Sequence, residues 1–78
     1  MIINRNSLDF GFLKNINALE DKYQIIIQFE YVKNDCIAHC FSTEFQLIEI
    51  ATIKVGARSD TKERWYINLS KELKRQWS

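Results

Sequence analysis

The stretch from Tyr23 to Lys33 constrains this chain more than any other. Tyr23, Ile25, Ile27, Phe29 and Tyr31 alternate with Gln24, Ile26, Gln28, Glu30 and Val32. Period two in β-branched and aromatic residues predicts a strand with one face buried. Asn34-Asp35 follows; both residues tolerate positive φ, so the pair reads as a hairpin turn. Cys36 to Phe41 is then the returning strand. A half-buried sheet needs a covering layer, which the rest of the chain must supply.

Upstream, Leu8, Phe12, Ile16 and Leu19 recur at helical spacing, which predicts a helix capped by Ser7 and running to about Asp21. Asp9 suits its first turn, and Gly11 inside it costs about 1 kcal/mol relative to alanine. Downstream, Glu44 to Val55 supports two readings. As a strand, its odd face is Phe45, Leu47, Ala51, Ile53 and Val55, interrupted by Glu49. As a helix, Leu47, Ile48, Ala51 and Val55 form a stripe, with Thr43 and Gln46 as a capping box. The β-branched run Ile48, Ile50, Thr52, Ile53, Val55 favours the strand. Gly56 to Glu63 is polar and charged, and reads as a loop. Arg64 to Leu69 reads as a strand with Trp65, Ile67 and Leu69 inward. Ser70 caps a last helix in which Leu73 and Trp77 lie on one side and Lys74 and Arg75 suit the dipole.

The expected fold is therefore α+β: about four hairpin-connected strands in a small antiparallel sheet, with an N-terminal helix and a short C-terminal one. With 78 residues, 46% hydrophobic and 27% charged, the chain is expected to form one compact domain over 1–78. It has no proline, and its only glycines are Gly11 and Gly56, so no linker is apparent.

Few residues suggest chemistry. Two glycines cannot build a phosphate-binding loop, and neither a nucleophile elbow nor a paired-carboxylate motif is present. Cys36 and Cys40 on one strand lie about 13 Å apart, too far for a disulfide, and read as buried reduced thiols. His39 between them would point to the opposite face. A structural zinc site needs four ligands, so no metal is expected. With Asn34-Asp35 as the turn, His39 falls opposite Glu30 as an ordinary cross-strand pair. No catalytic residue and no cofactor follow from this pattern. No apolar run is longer than that of Ile25-Ile26-Ile27, far from the roughly 20 residues of a membrane span, and the start of the chain turns polar at once. A cytoplasmic protein without membrane contact is expected.

Charge is unevenly placed. Residues 1–53 hold four basic and seven acidic side chains, a balance of −3, and residues 54–78 hold seven and three, a balance of +4. Lys54, Arg58, Lys62, Arg64, Lys71, Lys74 and Arg75 interleave with Trp65, Tyr66 and Trp77, a mixture that fits a nucleic-acid surface. A second candidate is apolar. If the odd side of Tyr23–Tyr31 meets the helices, Ile26, Val32, Ile48, Ile50 and Tyr66 lie on the other sheet face, unless one helix packs on each side. The leading expectation is a small non-enzymatic protein-interaction module that binds another protein or a second copy of itself through Arg58, Lys62, Arg64, Tyr66, Ile26, Ile48 and Ile50. Inhibitors, immunity proteins and phage anti-defence proteins are of this size, an analogy that rests on no residue. Nucleic-acid binding is the alternative, and a small ribonuclease-like enzyme using His39 stands third. No small-molecule substrate is inferred.

Overall fold

The computed structural model describes residues 1–44 and 48–77. After a short 3-10 turn (Arg5–Ser7) come α1 (Phe10–Tyr23), β1 (Ile25–Val32), β2 (Asp35–Ser42), β3 (Glu49–Ala57) and α2 (Lys62–Trp77). The strands form an antiparallel sheet in the order β1-β2-β3. The α+β class and the two helices agree with the sequence reading. Among the described residues the sheet has three strands rather than four.

The missing strand is the first half of α2. Trp65 and Leu69 are buried, as expected, but Ile67 between them is 51% exposed. Trp65, Ile67 and Leu69 fit a strand only while residues beyond them are ignored. Trp65, Leu69, Leu73 and Trp77 recur every four residues, and that helical period places the first three in the core. Ser70 therefore lies inside the helix. The cap is Thr61, whose hydroxyl accepts the Arg64 N–H at 3.1 Å. α1 is likewise capped by Asp9 rather than Ser7: its carboxylate accepts the Phe12 N–H at 2.8 Å. Ser7 instead donates to the Asn4 carbonyl within the 3-10 turn. At the other end Gln24 takes a left-handed conformation (φ 57°), which ends α1 and turns the chain into β1.

The hairpin turn sits one residue earlier than expected. Val32 pairs with Asp35, so the turn residues are Lys33 and Asn34, with Lys33 at φ 57°. Moving a two-residue turn by one position shifts the register by two. The faces therefore keep their assignments, because strand side chains alternate with period two. His39 stands opposite Gln28, not Glu30.

Of the 44–55 segment read as a strand, β3 takes Glu49 to Val55 and runs on through Gly56 and Ala57, while Lys62 and Glu63 open α2, so the loop expected over 56–63 shrinks to 58–61. Phe45, Gln46 and Leu47 lie outside the described residues. Its pairing with β2 is irregular at two places, between Cys36 and Ile37 and between Cys40 and Phe41. At each, β3 holds one extra residue, Val55 and Ile50 respectively, as in a β-bulge. The bulge at Ile50 accounts for Glu49 in the apolar pattern: it reverses the phase, so Ala51 and Ile53 face inward while Glu49 faces outward.

Both helices cover the same sheet face. Phe12, Ile16 and Leu19 of α1 and Trp65, Leu69 and Leu73 of α2 form one core with Ile25, Ile27, Phe29, Cys36, Ala38, Cys40, Ile53 and Val55. Its centre is aromatic. Phe29 stacks on Trp65 at 6.2 Å, and Phe12 and Tyr31 meet Trp65 edge-on at 6.2 and 6.0 Å. Such ring pairs contribute about 0.5–1.5 kcal/mol each beyond burial. One helix on each face, the simplest way to cover the sheet, is not what forms.

Candidate functional site

The outer face of the sheet has no helix or strand packed on it among the described residues. Four rows cross it, in strand order β1, β2, β3: Ile26, Phe41 and Glu49; Gln28, His39 and Thr52; Glu30, Ile37 and Lys54; Val32, Asp35 and Ala57. Ile26 is 42% and Val32 44% exposed, and Ile37 and Phe41 are half-buried. Ile26 and Val32 are thus where the sequence placed them, with Ile48 exposed just ahead of β3. Two expected members are elsewhere. Tyr66 lies on α2, half-buried against the core. Ile50, carried by its bulge, lines a concavity of about 510 Å³ with Tyr23, Ser42 and Trp77.

At the middle of this face His39 is held between two carboxylates. Its Nε2 lies 2.8 Å from Glu30 Oε1, and its Nδ1 meets Glu49 Oε1. Thr52 Oγ1 donates to the same Glu49 oxygen at 3.0 Å. Partial burial works to lower the imidazole pKa, but the hydrogen bonds to Glu49 and Glu30 outweigh it and raise it above the ordinary histidine value. The Glu49 carboxyl is lowered by the His39 and Thr52 hydrogen bonds. The Glu30 contact survives the change of register because a diagonal cross-strand neighbour is still within reach of long side chains. The Glu49 contact was invisible in the sequence. Its only trace was the carboxylate interrupting an apolar alternation.

Cys36 and Cys40 lie on the other face, buried and unpaired by any disulfide. Burial pushes both thiols up to about 12. Thiols so raised are poor nucleophiles and poor metal ligands at neutral pH. Among the described residues no group of three or more His, Cys, Asp or Glu side chains could hold a metal ion.

The basic segment divides into separate places. Lys54 is on the outer sheet face, 3.5 Å from Asp35. Arg58 stacks over the Tyr31 ring at 4.2 Å, and Lys62 lies 5.4 Å from the Trp65 ring. Arg64, Lys71, Lys74 and Arg75 fall on the side of α2 opposite its buried stripe, with Arg75 paired to Glu72. The aromatic partners expected beside these charges turn the other way. Trp65 is 1% exposed, and Trp77 packs edge-on against Tyr23 at 6.1 Å. The interleaving of bases and rings in the sequence is thus the alternation of a helix's two sides.

No helix of the described chain is long and apolar enough to cross a membrane. No protein-family model, curated protein or solved structure matches the chain.

Proposed function

We propose that this protein is a non-enzymatic binding module, of the inhibitor or immunity type, that docks another protein on the outer face of its sheet. One observation carries the reading: both helices are committed to one side, leaving Ile26, Val32, Ile37 and Phe41 around a polar centre on the other. Apolar side chains grouped on an uncovered sheet face suit recognition of a protein surface. A catalytic use of His39 has less support, because both ring nitrogens are already engaged by carboxylates, leaving neither for a substrate proton.

Nucleic-acid binding is the second reading, favoured by the four basic residues on the solvent side of α2. It is weakened by the inward turn of Trp65 and Trp77, which removes the stacking surface such binding uses. Affinity capture from native lysate, with and without nuclease, separates the two. The expected outcome is a nuclease-resistant protein partner retained by the wild type and lost with the double variant Ile26→Lys, Val32→Lys. Both positions are exposed, so stability should change by no more than about 0.5 kcal/mol per site. Capture that nuclease abolishes, or that the double variant leaves intact, contradicts the reading.

A further inference from the structure

The two edges of the sheet are finished differently. On β1, the odd-numbered residues turn their backbone groups away from β2, and at Ile27, Phe29 and Tyr31 groups from elsewhere in the chain meet them. Ile27 N–H donates to Glu20 Oε2 at 2.8 Å, and Arg5 Nη1 donates to the Ile27 carbonyl at 3.0 Å. Ile3 N–H reaches the Phe29 carbonyl at 2.9 Å, and Tyr31 N–H reaches the Met1 carbonyl at 2.8 Å. Arg5 is itself held by Glu20 and Asn17. A short pairing segment and two anchored side chains close this edge against further strands.

On β3, the closure is partial. Asn68 Nδ2 donates to the Val55 carbonyl at 2.7 Å, Trp65 Nε1 to the Ala57 carbonyl at 3.0 Å, and Ala57 N–H to Asp60 Oδ2 at 2.9 Å. All three act at the C-terminal end of the strand. The even-numbered residues of β2 face β3, as the Ser42 N–H to Ile48 carbonyl bond shows, so Ala51 and Ile53 spend their backbone groups on β2. Thr52 and Lys54 therefore aim theirs outward, and among the described residues nothing receives them. The open segment 50–54 extends about 17 Å, enough for one added strand of ordinary length.

The flank of this edge is basic. Asn68, which bonds the edge at Val55, also lines a shallow groove on α2 with Arg64, Ile67 and Lys71. Arg64 and Lys71 are exposed and make no ion pair among the described residues. Glu63 is the one carboxylate lining the groove. Lys54 adds a positive charge on the edge itself. A second copy is disfavoured as occupant, because two-fold pairing of β3 would bring the two α2 flanks together with Arg64 and Lys71 from both.

We propose that the free edge of β3, residues 50–54, accepts an acidic extended segment of a partner protein as a fourth strand, with Arg64 and Lys71 receiving its carboxylates. This rests on the protein-binding reading but uses a different surface from the outer face. The probe is a short synthetic peptide in which Glu alternates with Val and Thr. Its controls are a Lys-for-Glu counterpart and a counterpart with alternate backbone amides methylated. Hydrogen exchange by NMR on the whole protein should find Thr52 and Lys54 amides exchanging fast alone, and slowed by at least roughly tenfold with the Glu peptide. Neither control should do this. The double variant Arg64→Glu, Lys71→Glu should reverse the preference toward the Lys peptide while keeping the wild-type exchange pattern in the core. Slowing by the methylated peptide, or none with the Glu peptide at millimolar concentration, overturns the proposal. So does protection in the free protein that fades on dilution, which assigns the edge to a second copy. These amides report on the edge alone, whereas the lysate experiment with Ile26 and Val32 reports on the face, so either reading can fail without the other.

Discussion

Residues 36 to 41 supply both sides of the sheet in strict turn. Cys36, Ala38 and Cys40 are buried under two helices, while Ile37, His39 and Phe41 face outward with no layer above them among the described residues. The inner side is stabilised by contact area. Its members are apolar, and ring geometry around Trp65 fixes how the layers meet. The outer side is ordered by a hydrogen-bonded chain, Glu30 to His39 to Glu49 to Thr52, at the boundary with water. The comparison separates what folding requires from what it leaves over. The inner residues are needed to overcome chain entropy, whereas Ile26 and Val32 are partly solvated in the folded protein and contribute correspondingly little.

The largest test of this division is Trp65→Ala. It removes the ring shared by Phe12, Phe29 and Tyr31, and should cost about 3–5 kcal/mol in denaturant unfolding. A loss under about 1 kcal/mol would mean that the core is not organised around this ring. A smaller effect is expected at the rim of the inner layer. Gly56 has φ 156°, and a Cβ there would lie 2.7 Å from Asp60 Oδ2 and 3.2 Å from Trp65 Cδ1. Gly56→Ala should cost about 1–3 kcal/mol, because it strains the backbone and displaces the Asp60 carboxylate that accepts the Ala57 N–H.

The smallest effect belongs to the outer side and depends on pH. His39 has a raised pKa when folded, so its contribution is full below its ordinary value of 6.5 and fades as pH rises through the folded value. Glu49 has a lowered pKa, so its contribution is present above 4.5 and fades as pH falls through the folded value. The stability difference between wild type and His39→Gln should therefore peak between pH 4.5 and 6.5 and shrink on either side. It should remain small, as solvent screening makes exposed ion pairs, and far below the loss from Trp65→Ala. A flat difference across pH, or one as large as that of Trp65→Ala, would break the distinction between the two faces.

The elements legible in the sequence were those whose pattern is local and admits one period. The alternation from Ile25 to Tyr31 and the helical spacing of Phe12, Ile16 and Leu19 each determined an element and its buried side, although Tyr23, read as the first residue of the strand, closes α1. The start of α2 was misread because Trp65, Ile67 and Leu69 satisfy a strand as well as a helix, and the residues that decide, Leu73 and Trp77, lie further on. The outer cluster was half legible. A long side chain tolerates a register shift of two, which kept the Glu30–His39 contact. Glu49 reached His39 through a bulge, a feature of strand pairing rather than of the strand's own sequence. The open edge of β3 follows from the strand count, which depended on the segment that was misread.

The one-sided arrangement also bears on the order in which the chain can fold as it is made. The strands β1, β2 and β3 are neighbours in sequence, so their hairpins can form early and with little loop closure. Half of the lid over them is α2, which follows all three strands in sequence. Until residues up to Trp77 have left the ribosome, Ile53 and Val55 lack the helix that buries them, and Phe29 has the Phe12 ring but not that of Trp65. The nascent sheet thus leaves much of its inner, apolar side uncovered for a time, and its completion waits on that sixteen-residue helix.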